Sequence, residues 1–239
     1  MFLLLPSLTI IFIYFIAAVL PAVFLMRYIY REDTIEKEST GLLVSLVFCG
    51  FGAALIAIVL ETLGQGILSA FLDSGSPFYT VTWAFLVVAV VEEGAKFLLL
   101  KARTWKSPEF NYRFDGIVYA VFVSLGFAAF ENVGYVFGYG LSVAIPRAFL
   151  AIPAHMGFAV FMGSFYGRAK VEEDKGNLFA RNANLWAGYI IAVLLHGFYD
   201  TCASLGNVLS TLLYIAFVII MYILVFRKIR KESRSDMPV

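Results

Sequence analysis

Seven apolar runs dominate the chain, at about 8–26, 41–60, 79–100, 115–138, 147–167, 184–204 and 207–226. Each approaches or exceeds the ~20 residues that a helix needs to cross a ~30 Å hydrocarbon core. A backbone in lipid must satisfy its own N–H and C=O groups, which leaves helices or a closed barrel. Continuous runs without strict alternation select helices. The expected fold class is therefore all-α: a polytopic helical membrane protein with about seven transmembrane helices. Composition agrees, because 61% of the residues are hydrophobic and 15% charged, against roughly half and a quarter in soluble domains. The polar stretches are too short for a separate soluble domain, so residues 1–239 read as one integral-membrane domain.

Basic residues set the expected orientation. Arg27, Arg31 and Lys37 follow the first run; Lys101, Arg103, Lys106 and Arg113 the third; Arg168, Lys170, Lys175 and Arg181 the fifth; and the tail carries Arg227, Lys228, Arg230, Lys231 and Arg234. The positive-inside rule puts these four segments in the cytoplasm. An outside N-terminus and a cytoplasmic C-terminus follow, and an odd number of spans fits. Lys96 and Arg147 are the two exceptions. The opening run has no basic flank before it and no clear small-residue cleavage site, so it reads as a retained span. Cys49 and Cys202 both lie in apolar runs and read as free buried thiols. A formal net charge of +1 without a basic-aromatic surface pattern points away from nucleic acid. The expected location is a prokaryotic plasma membrane, and the expected partners are the lipid bilayer and a membrane-protein substrate. Oligomeric state is not legible.

Ionisable residues inside the runs point to function. A charge at bilayer depth costs roughly 2.5–3.5 kcal/mol on insertion scales, so such groups face one another, a cavity or water. Glu92, Glu93 and Lys96 stand in the third run, Glu131 in the fourth, His155 in the fifth, and His196 and Asp200 in the sixth. Counted from the cytoplasmic ends at ~1.5 Å per residue, Glu92 lies ~13 Å deep, Glu131 ~21 Å, His155 ~20 Å, His196 ~15 Å and Asp200 ~21 Å. Four helices thus bring ionisable groups to one slab. Glu92 and Glu93 sit four and three residues before Lys96 and share its face. His196 and Asp200 also share a face, so the aspartate can hold one imidazole nitrogen and set the tautomer.

The inventory excludes several chemistries. No Gly-x-Ser-x-Gly, phosphate loop, His-Glu-x-x-His or cysteine beside a histidine is present, and Ser124 and Ser142 have no evident base. No cofactor is expected. Carboxylates with imidazoles suit non-covalent hydrolysis, in which an acid takes a proton from water and a histidine orients it or protonates the leaving amine. The same groups could bind a divalent metal, with Glu92, Glu131, His155 and His196 as the alternative ligand set, or form a proton relay in a carrier. A carrier often shows an internal repeat. None is evident here.

Three motifs stand in order: Glu92-Glu93-Gly-Ala-Lys96, Phe127-Ala-Ala-Phe-Glu131 with Asn132, and His196-Gly-Phe-Tyr-Asp200. Together they resemble the EExxK, FxxxE and HxxxD set of PrsW-type intramembrane proteases, relatives of the CAAX prenyl endopeptidases. The stretch 20–33 with Glu36-Lys37-Glu38 is similar to the family's first loop, and the resemblance covers about 20–205. It implies a glutamate-dependent peptidase acting on a membrane protein such as an anti-sigma factor. By motif, Glu92 becomes the water-activating base, Glu93 its support and Lys96 the balancing charge, with His196 and Asp200 on the oxyanion side. Glu131 stands where the prenyl-endopeptidase branch has histidine, which favours the PrsW branch over CAAX processing. It shares a proton with Glu92 or positions the water, and Asn132 is a supporting residue. His155 completes the pocket.

Other residues read as structural. The repeats Gly116, Ala120, Ser124, Ala128 and Ala151, Ala159, Gly163, Gly167 suit close helix packing. Asp115 reads as a helix cap, and Glu61 and Asp73 as solvated ends. Residues 61–72 read as an ordinary loop, a short interfacial helix or a re-entrant turn.

Overall fold

A computed structural model describes residues 4–239, with side chains from residue 8. The flank before the opening run, read as lacking basic residues, includes residues 1–3, which lie outside the described residues. The elements are α1 (Leu4–Glu32), α2 (Thr40–Phe71), α3 (Pro77–Thr82), a π-helical stretch (Trp83–Ala89), α4 (Val90–Thr104), α5 (Asp115–Tyr139), a 3-10 turn (Leu141–Val143), α6 (Ala144–Phe149), α7 (Ala151–Asp174), α8 (Leu178–Ser204) and α9 (Val208–Arg234). Among the described residues the only β pairing is one isolated bridge between Tyr112 and Pro238.

Among the described residues, six helical segments are long and apolar enough to cross a membrane: Leu8–Glu32, Thr40–Phe71, Asp115–Tyr139, Leu141–Asp174, Leu178–Ser204 and Val208–Arg234. The remaining expected run forms continuous helical structure over 77–104. Its hydropathy is lowered by Glu92, Glu93, Lys96 and Lys101, the charges that give it chemical interest. The chain is an integral, multi-pass membrane protein.

Local chemistry sets the helix ends. Ser39 accepts from the Leu42 N–H to start α2, and Ser76 accepts from the Tyr79 N–H with Pro77 following it. Asn177 caps α8, and Asn207 forms a reciprocal capping box with Ser210 at α9. Gly140 closes α5 at φ +84°, a left-handed conformation that costs glycine little.

The centre of the bundle is α5, buried at every residue from Asp115 to Ala129 and packed against α1, α2 and α7. Glycines allow the approach. A Cβ on Gly116 would lie 2.6 Å from the Gly167 nitrogen and 2.7 Å from the Gly163 oxygen. A Cβ on Gly126 would lie 2.5 Å from the Val47 oxygen of α2. The small-residue repeats thus work as packing surfaces. On the outside, Phe12, Phe24, Leu63, Ile67, Leu209 and Ile219 point away from the bundle, as lipid-facing residues do.

The loops after α1, α4 and α7 and the C-terminal tail gather at one end. The Asn111 amide donates to Glu36, the Ser39 N–H to Glu109, Arg113 to the Ser235 carbonyl, and both Trp105 and Arg181 to Glu173. The clustered basic segments therefore share one face of the bundle.

Two local readings are corrected. Residues 61–72 are neither loop nor turn, because α2 continues through them to Phe71 and reaches roughly 48 Å at 1.5 Å per residue. Asp115 does not cap α5 from outside. It is the first helical residue, and its Oδ2 accepts from the Asn111 and Tyr112 N–H groups of the preceding loop. The Phe114 N–H is taken instead by Asp236 of the tail.

Candidate functional site

Glu92, Glu93 and Lys96 occupy the first two turns of α4, immediately after the π-helical stretch. π-turns inside helices are frequent at functional sites, because the extra residue per turn re-aims the side chains beyond it. The Lys96 ammonium lies 3.0 Å from Glu92 Oε2, 2.8 Å from Glu93 Oε1 and 3.2 Å from His155 Nδ1. It also sits 3.9 Å from the Phe127 ring centroid. All four polar groups are buried.

The two histidines are fixed by different acids. An ammonium can only donate, so His155 Nδ1 accepts and its Nε2–H points to Glu131 Oε2 at 3.3 Å. His196 Nδ1 lies 2.9 Å from Glu93 Oε1, and its Nε2 lies 3.2 Å from Asp200 Oδ2 and 3.9 Å from Glu92 Oε2. The rings stand edge to face, 5.2 Å between centroids, and Phe158 stacks on His196 at 4.9 Å. Helices α4, α5, α7 and α8 thus join in one hydrogen-bonded cluster. The sequence-derived set Glu92, Glu93, Lys96, Glu131, His155, His196 and Asp200 comes together here.

Two residues play parts that sequence reasoning did not assign. Arg147 of α6, an exception in the basic-residue pattern, pairs with Glu131 Oε2 at 2.8 Å. Its Nε donates to Asn132 Oδ1 at 2.8 Å, and its guanidinium covers the Tyr135 ring at 3.8 Å. Asn132 in turn donates to the Ala18 carbonyl of α1 at 2.7 Å, so it acts as a mount for Arg147. Glu61 is the second. Read as a solvated end, it instead stands within α2, half-buried, and lines a chamber between the helices.

That chamber holds about 440 Å³. Glu61, Glu92, Glu131, Arg147, His155, His196 and Asp200 all line it. Glu93 and Lys96 do not, and stand behind Glu92. The wall therefore separates groups that can touch a substrate from groups that hold them in place. A second cleft of about 250 Å³ between α2 and α5 shares Glu61, Glu92, Glu131 and Tyr135 with the chamber.

A metal could be held by Glu92, Glu93, His155 and His196, whose donor atoms all lie within 4.8 Å of one another. Glu93 stands in this set where the sequence-derived one has Glu131, whose Oε2 pairs with Arg147 and His155. Glu93 Oε2 is buried without a hydrogen-bond partner, and two carboxylates with two imidazoles are a zinc-type donor set. The residues fit such an ion, provided that the Lys96 ammonium swings out from between them.

Comparison with known proteins points the same way. Residues 38–226 match the model of the PrsW family intramembrane metalloprotease. Protease PrsW of Shouchella clausii is 34% identical over 219 residues, covering 92% of this chain and 96% of that protein. Protease PrsW of Clostridioides difficile is 33% identical over 229 residues, with 94% and 93% coverage. The Bacillus subtilis protein of the same name is 30% identical over 226 residues, with 92% and 96% coverage. No solved structure matches.

Proposed function

Since the chain belongs to the PrsW family of intramembrane proteases, we propose that it hydrolyses a peptide bond of a membrane protein with water activated by Glu92. One observation carries this assignment: Glu92 faces the chamber, while its neighbours Glu93 and Lys96 are sealed behind it. Glu92 takes the proton from water as the nucleophile approaches the scissile carbonyl. Glu93 and Lys96 hold its position and balance its charge. His196 is held through Nδ1 by Glu93, and its Nε2–H, which rests on Asp200, turns to the developing oxyanion. The proton held by Glu92 then passes to the leaving amine as the C–N bond breaks, while His155, oriented by Glu131, positions the water. No covalent intermediate is involved.

With the basic loops in the cytoplasm, the chamber lies within the bilayer and the substrate is a membrane-spanning protein of the anti-sigma-factor type. All of this machinery sits in one membrane domain.

A metal-assisted form of the same reaction is favoured by the donor set of Glu92, Glu93, His155 and His196. A divalent cation held there would supply a water of lowered pKa and a Lewis acid for the scissile carbonyl. The two forms separate in reconstituted protein acting on a single-span reporter. Cleavage that survives exhaustive chelation, with no metal left by mass spectrometry, supports water activated by the carboxylate alone. Loss on chelation and recovery with zinc supports the metal-assisted form. Absence of cleavage in every condition contradicts the peptidase assignment for this site.

A further inference from the structure

Helices α2 and α5 cross where both are smallest. A Cβ on Gly50 would lie 2.2 Å from the Val123 oxygen and 2.5 Å from the Phe127 nitrogen, so backbones touch there. Farther along, a cleft opens between Ala57, Ile58 and Glu61 on α2 and Gly134, Tyr135 and Tyr139 on α5. A Cβ on Gly134 would meet nothing within 4 Å. The cleft leads to Glu92 and Glu131, and Glu61 stands on the wall that it shares with the main chamber.

The charges around this opening are unequal. Glu92 has Lys96, Glu131 has Arg147, and Asp200 has His196. Glu61 has no such neighbour among the described residues, and its Oε1 is buried without a hydrogen-bond partner. With Glu93, the cluster gathers five carboxyl groups around two permanent cations, Lys96 and Arg147. Glu61 is half-buried with its Oε1 enclosed, and a carboxyl there carries charge only at a cost while it has no donor. A cationic donor arriving with the substrate removes that cost, and an anionic one meets repulsion.

Resting on the peptidase reading above, we propose that Glu61 is a substrate-binding residue that takes a lysine or arginine side chain of the membrane segment entering between α2 and α5. The bound cation anchors the chain within a few residues of the bond presented to Glu92, since both acids line the same chamber. Glu61 thereby selects substrates with a basic residue close to the cleavage position.

The test uses three single-span reporters that differ only in carrying Lys, Gln or Glu beside the scissile bond, with full-length protein in proteoliposomes. The expected preference of the native protein is Lys over Glu by about tenfold or more in kcat/KM, as desolvated charge pairs give. Glu61→Gln is expected to raise KM for the lysine reporter by a similar factor, with kcat held within about twofold. Glu61→Lys is expected to invert the preference. Glu172→Gln, at the far end of α7, should leave the preference as it was. Equal cleavage of all three reporters by the native protein, or a loss in Glu61→Gln that falls on kcat equally for every reporter, overturns the Glu61 assignment alone. Failure of the native protein to cleave any reporter counts instead against the peptidase reading.

Discussion

Arg147 Nη2 lies 2.8 Å from Glu131 Oε2, tying the short helix α6 to the core helix α5 across the chamber wall. The pair is only partly exposed, at 16% and 26% of the side-chain surface. Removing the arginine leaves Glu131 with His155 alone. Arg147→Ala is expected to lower cleavage by roughly tenfold and stability by about 1–3 kcal/mol, less than the 3–5 kcal/mol of a fully buried pair. Arg147→Lys keeps the charge and loses the Nε bond to Asn132, so it should fall between. A thermal-unfolding double-mutant cycle with Glu131→Gln checks the link. Strict additivity of the two substitutions would mean that the pair carries no coupling.

Lys96 compensates two buried acids at once, Glu92 and Glu93. Lys96→Met strands both and is expected to cost about 3–5 kcal/mol. Adding Glu93→Gln removes one of the stranded charges and should restore part of the melting temperature. Detergent-solubilised protein followed by differential scanning fluorimetry gives both values. An unchanged melting temperature for Lys96→Met would rule out the compensating role.

The crossing of α2 and α5 predicts opposite outcomes for two glycines of one helix. Gly50→Val drives a side chain into the backbone of Val123 and Phe127, with contacts of 2.2 and 2.5 Å even for its Cβ. Overpacking of this kind costs about 1–3 kcal/mol or more, and here the obstacle is backbone. Gly41→Ala meets nothing within 4 Å and gains helix propensity, so it should be neutral or stabilising by up to ~1 kcal/mol. Folded yield after membrane extraction compares the two.

At the basic end, Asp33 and Glu38 are buried in the loop between α1 and α2. Burial raises Asp33 to about 6 against the pull of Lys37. Burial also raises Glu38 to about 7, although the neighbouring Tyr119 and Asp115 pull it down, and the nearby Asp33 and Glu109 add to the rise. A carboxyl whose folded pKa lies above its unfolded one holds its proton longer in the folded state. Its contribution is complete below the unfolded value and fades as pH rises through the folded one. Stability at this end should therefore decline between about pH 4.5 and pH 7.5. Glu38→Gln should flatten that decline. A melting temperature that rises over this range would contradict it.

Much of this was legible because charged groups in lipid must find partners. That argument brought Glu92, Glu131, His155 and His196 to one depth, and helical spacing joined Glu92 to Lys96 and His196 to Asp200. Arg147 escaped notice because hydropathy sees it only as a basic residue at the start of a run, and its partner Glu131 is on another helix. Glu61 escaped because Thr62, Gly64, Gln65 and Gly66 lower the local hydropathy, while the helix continues through them. The π-helical stretch before Glu92 is a matter of hydrogen-bond register, which side-chain periodicity does not report. That Glu93 joins Glu92, His155 and His196 in the candidate ligand set depends on tertiary contact, which spacing along one helix does not report.

The most direct measurement is cleavage of a co-expressed single-span substrate by Glu92→Gln, with folding and membrane insertion checked in parallel. Glutamine keeps the shape and loses the base, so cleavage should disappear while the inserted, folded protein remains. Cleavage at the native rate by a correctly folded Glu92→Gln would show that another group activates the water.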